Sequence, residues 1–80
     1  MGGVYPLAFL VAGTEATIAD IRGGREMRVR LSGMGLCPEA RVTIRSANQG
    51  SVIVAVGDAR YALSRGITTK ILIRETQETV

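Results

Sequence analysis

The side chains that could do chemistry in this chain form a short inventory. Its 80 residues include one cysteine, Cys37, no histidine and no tryptophan, seven carboxylates and ten cations. Without an imidazole there is no proton shuttle of the usual neutral-pH kind, no Ser-His-Asp or Cys-His pair, and no nitrogen ligand for zinc. A single thiol can build neither an internal disulfide nor a thiolate cage. The carboxylates are dispersed, and only Glu75 and Glu78 fall into a close E-x-x-E pair, so no metal site and no cofactor are expected. Gly23-Gly24 stands between a strand pattern and a helix pattern. It fits neither G-x-x-x-x-G-K-[ST] nor G-x-G-x-x-G, and is therefore a turn and not a phosphate cradle. These absences exclude most enzyme classes and point to a non-enzymatic protein.

What chemistry remains is charge. Arginines supply every cation except Lys70, and the net charge is +3. Arg22, Arg25, Arg28 and Arg30 crowd into nine consecutive positions. Their ordinary use is a solvated face; the alternative is a docking site for an acidic partner. Arg25 and Arg28, about 60° apart on a helical wheel, could meet such a partner together. Cations near a helix N-terminus also oppose the helix dipole, at a cost of about 0.3–1 kcal/mol each when exposed, and Glu26 offsets only part of it. A basic domain also suggests RNA or DNA, but Tyr5, Phe9 and Tyr61 are too few and too scattered for a stacking platform.

The elements that hold these residues follow from periodicity. Pro6–Ala12 begins with a residue suited to a first helical position, and Leu7 and Leu10 stand three apart before Gly13, so a short helical turn should plug one end of the core. The β-branched residues Thr14, Thr17, Ile18 and Ile21 favour a strand to Arg22. Met27, Leu31 and Met34 then recur at i, i+4 and i+7, predicting a helix over Arg25–Met34 with one apolar face. Gly35 supplies the left-handed position that ends a helix, Leu36 can fold back on the last turn, and Pro38 prevents continuation. Gly33, inside this helix, is a weak point unless close packing requires it. Arg41–Arg45 alternates, with Val42 and Ile44 inward. Asn48-Gln49-Gly50 signals a turn, and Ser51–Val56 reads as a central strand buried on both sides. Arg60–Leu63 and Lys70–Arg74 complete five strands, with a brief Ser64-capped turn through Thr68 between them. Mainly β, with about five short strands and a helix inserted after the first, the pattern predicts one small barrel over residues 6–74. The ends, 1–5 and 75–80, lack packing signals and are expected to be mobile.

At 80 residues, 46% of them hydrophobic, the chain can support one domain and one core. A small domain without disulfide staples belongs in a reducing compartment, so a cytoplasmic location is expected. The first basic residue is Arg22, the apolar stretch Leu7–Ala12 is too short for a leader, and no run approaches the ~20 residues of a membrane helix; no direct membrane insertion is expected. Any apolar surface left over, for a partner or for a homo-oligomer, is expected at the helix exit from Met34 to Cys37.

The order Pro6-Leu7, Leu10, Gly13, then Ile21-Arg22-Gly23-Gly24, then Arg30-Leu31-Ser32-Gly33-Met34-Gly35-Leu36-Cys37-Pro38-Glu39, then Val42-Thr43-Ile44 resembles the FeoA family of ferrous iron transport proteins. The segment R-L-x-x-M-G-L-x-P-x-x-x-V-x-I is the specific part, and Val54, Tyr61-Ala62-Leu63 and Ile71 extend the similarity over roughly residues 6–74. The resemblance implies an SH3-like barrel with an inserted helix, a domain type also similar to the C-terminal module of DtxR-type metalloregulators. It further implies a cytoplasmic accessory protein acting with the FeoB membrane permease, whose soluble part is a GTPase. Within the motif, Leu31, Gly35 and Pro38 have structural uses. Met34 and Leu36 serve either the core or an adaptable binding surface. Cys37 is either a half-buried hydrophobe or a reactive thiol. For the partner contact the expectation is Arg25, Arg28, Met34, Leu36 and Cys37.

Overall fold

Six antiparallel strands form one continuous sheet in the order β1-β6-β2-β3-β4-β5. The strands are β1 (Tyr5–Pro6), β2 (Glu15–Ile21), β3 (Arg41–Asn48), β4 (Ser51–Val56), β5 (Ala59–Leu63) and β6 (Ile71–Glu75). One helix, α1 (Arg25–Gly33), follows β2, and a four-residue helix, α2 (Arg65–Thr68), links β5 to β6. This computed structural model describes residues 3–75. Residues 1–2 and 76–80, most of the two ends expected to be mobile, lie outside the described residues. Tyr5 and Glu75, grouped with those ends by the sequence, sit in strands: Tyr5 pairs with Ile73, and Glu75 with Ala16.

Alternation builds the core. Ala16 and Ile18 of β2, Val42 and Ile44 of β3, Val52 and Val54 of β4, Leu63 of β5, and Ile71 and Ile73 of β6 all point inward and are buried. Leu7 and Leu10, around a 3-10 turn at Leu7–Phe9, are both buried in the core, and the short helical turn is where their spacing predicts it. Register shifts between Ile18 and Asp20 in β2, and between Ile44 and Ser46 in β3, mark bulges. Such bulges bend strands, which lets a short sheet curl round a single core.

Two expectations need correction. β1, a two-residue strand, adds a sixth to the five predicted, because Pro6 reads as a helix start while its neighbour Tyr5 pairs with β6. Ser51–Val56 is not buried on both sides: Val52 and Val54 face the core, whereas Ile53 is 39% exposed on the outer face. The β-branched run of a doubly covered strand and that of a barrel stave look alike in sequence, and here, among the described residues, no second layer covers the outer face at Ile53.

Candidate functional site

α1 and its exit are built from the residues that the motif singles out. Met27, Leu31 and Met34 turn towards the barrel; Leu31 is buried, and Met27 and Met34 pack against the core while half-exposed. The helix ends in two reciprocal bonds: the Leu36 N–H donates to the Leu31 carbonyl (2.9 Å) and the Gly35 N–H to the Ser32 carbonyl (2.9 Å). With Gly35 at φ +84 this is a Schellman motif, and its characteristic hydrophobic contact is between Leu31 and Leu36, each 1% exposed. A Cβ on Gly35 would also lie 3.6 Å from Val56 Cγ2, so the left-handed turn sits directly against β4.

Beyond Pro38 the chain is stitched to β2. The Glu39 N–H donates to the Ile18 carbonyl (2.8 Å), and the Ile18 N–H donates to the Ala40 carbonyl (2.9 Å). Glu39 itself has φ +78, a left-handed conformation that a non-glycine residue adopts at a cost of roughly 1–2 kcal/mol. Its carboxylate meets Arg74 Nη2 at 3.3 Å, an exposed pair of modest worth. Between this loop, β2 and α1 lies a groove of about 170 Å³ lined by Asp20, Ile21, Arg28, Ser32, Cys37 and Pro38.

The five residues expected to contact a partner are therefore separated by burial. Arg25 and Arg28 are exposed on the outward side of α1, and among the described residues no carboxylate lies within salt-bridge distance of either. Arg28 and Cys37 share the groove, where Cys37 is half-buried. Leu36 is corrected: it is a core residue with no surface to offer. The apolar surplus is corrected too. It does not collect at the helix exit but at Val4, Phe9, Val11, Val29 and Ile53. Val29, 64% exposed, sits on α1 between the two arginines and Ser32. Its outward position was available from the wheel, being four residues after Arg25 and off the Met27–Leu31–Met34 face.

Among the described residues, no group of three or more cysteines or carboxylates comes together as a metal site would require. Tyr5 and Tyr61 pack against the core, and only Phe9 stands well exposed, so no aromatic platform forms. Tyr5 donates its hydroxyl proton to Glu75 Oε2. That hydrogen bond, with smaller contributions from desolvation and from the carboxylate charge, raises the phenol above its ordinary 10.0. No described helix is long and apolar enough to cross a membrane.

A protein of Methanocaldococcus jannaschii named as a candidate Fe(2+) transport protein A is 28% identical over 74 residues, covering 92% of this chain and 90% of that one. The crystal structure of an iron uptake regulatory protein, FeoA, superposes with a TM-score of 0.85 at 28% identity, covering 92% of this chain and 100% of that one. A manganese-dependent transcriptional repressor shares the fold alone: 18% identity and a TM-score of 0.82 over 95% of this chain and 43% of that one. Residues 5–75 match the model of the FeoA domain, and the chain belongs to that family.

Proposed function

We propose that this chain is a non-enzymatic accessory protein of ferrous iron uptake, located in the cytoplasm, that binds the cytoplasmic part of a FeoB-type GTPase-permease. Family membership supports the iron-uptake setting. The observation that carries a contact role is the pair Arg25 and Arg28, exposed on one side of α1 without carboxylate partners among the described residues. Free charge at a helix N-terminus lowers the stability of the isolated domain, and an acidic partner would turn that cost into attraction. In this reading Fe(II) is the cargo of the permease. This chain contributes a surface and not ligands.

The test is a pull-down of the permease's purified cytoplasmic domain by the intact chain, with the GTPase empty, GDP-bound and bound to a non-hydrolysable GTP analogue. Retention in at least one state is the expected result. Failure in all three overturns the proposal.

A further inference from the structure

We propose that the outward face of α1, formed by Arg25, Arg28, Val29, Ser32 and Gly33, docks an acidic surface of a protein partner whose main chain passes close over Gly33. The inference rests on the function proposed above and specifies the chemistry and geometry of its contact. Three features of one face, each unfavourable for the isolated domain, meet here. Arg25 and Arg28 oppose the helix dipole without an ion pair among the described residues. Val29 leaves an aliphatic side chain 64% exposed. Gly33 occupies the last turn of the helix although its φ is not in the left-handed region and nothing lies within 4 Å of where its Cβ would be. Neither backbone conformation nor internal packing therefore requires a glycine at this position.

The wheel places the three features together. At about 100° per residue, Val29 lies about 40° from Arg25, Ser32 about 20° to the other side, and Arg28 and Gly33 flank them; Val29 and Gly33 lie about 160° from the buried Leu31, and Arg28 forms the edge nearest to it. The face is graded along its axis: cationic at its first turn, aliphatic at its middle, and small at its last. Packed helices lie about 8–10 Å apart between axes, the distance set by the size of the side chains at the contact. Ser32 and Gly33 permit the near end of that range, Val29 supplies apolar area for the partner to cover, and the arginines select an acidic surface. Nucleic acid would satisfy the arginines, but it has no use for the valine or the glycine, and no aromatic side chain accompanies them.

The experiment measures binding of the permease's cytoplasmic domain by titration calorimetry, using the intact chain and variants. Gly33→Leu fills the approach point, and Arg25→Glu/Arg28→Glu reverses the charge; each is expected to weaken binding at least about tenfold. Gly33→Ala guards against misfolding, since it is expected to raise the Tm while still weakening binding. Arg45→Glu/Arg60→Glu, an equal charge change on exposed positions of β3 and β5, is expected to leave affinity within about twofold. If the wild type binds and the α1 variants bind equally well, this inference fails while the proposed function stands. If the wild type does not bind in any nucleotide state, both fail. A mixed-sequence DNA duplex bound more tightly than the permease domain, and lost on charge reversal but not with Gly33→Leu, would also overturn the inference.

Discussion

Gly35 shows how one residue decides a local structure. Its φ of +84 lets the chain reverse so that Leu36 returns to Leu31, and both leucines are thereby buried. Gly35→Ala must put a Cβ in the left-handed region, and it is expected to cost about 1–2 kcal/mol, read as a drop in the urea midpoint. This much was legible in the sequence, because glycine followed by an apolar residue and a nearby proline is a stop signal with a mechanism. The division of labour between Met34 and Leu36 was not. Both are flexible apolar residues beside a helix end, and only the Schellman geometry says that Leu36 goes in while Met34 stays half-exposed. A second residue-scale outcome concerns Tyr5. Its phenol is raised above 10.0 by the bond to Glu75, so the neutral form is favoured in the folded state. The stability this contributes is complete below pH 10 and is lost as pH rises through the folded value. Ultraviolet titration should find one of the two tyrosines ionising above its ordinary range, and Glu75→Gln should bring it back towards 10.0.

At the scale of elements, α1 has two opposite faces with opposite sensitivities. Leu31→Ala removes a side chain that is 1% exposed and is expected to cost about 2–5 kcal/mol. Val29→Ala, on the exposed side of the same helix, should change stability by less than about 0.5 kcal/mol. Gly33→Ala should stabilise by about 0.5–1 kcal/mol. Thermal denaturation of the three variants checks the orientation of the helix, and a reversed order for Leu31 and Val29 would contradict it. The helix, β2, β3, β5 and β6 follow from periodicity because each buries one face. β1 was missed because two residues carry no period, and Pro6 disguised it further. Ile53 was misplaced because a β-branched run does not say whether its outer face is covered.

For the molecule as a whole, sequence and structure agree on a single barrel with a single core, and the agreement has a physical reason. An 80-residue chain without disulfides has few ways to bury its apolar side chains, and so few strands, joined mostly by tight turns, bury them by curling round one core. The surface was less legible. Which apolar residues remain outside depends on where the sheet closes, so the surplus appeared at Phe9, Val11 and Val29 instead of the helix exit. The central claim is that α1 carries the partner contact, and nuclear magnetic resonance on the isotope-labelled intact chain tests it most directly. On titration with the permease's cytoplasmic domain, the largest shift changes or line broadening should fall on Arg25, Arg28, Val29, Ser32 and Gly33. Perturbation confined to the outer face of β4 and β5, or a spectrum that does not change at all, would contradict the account.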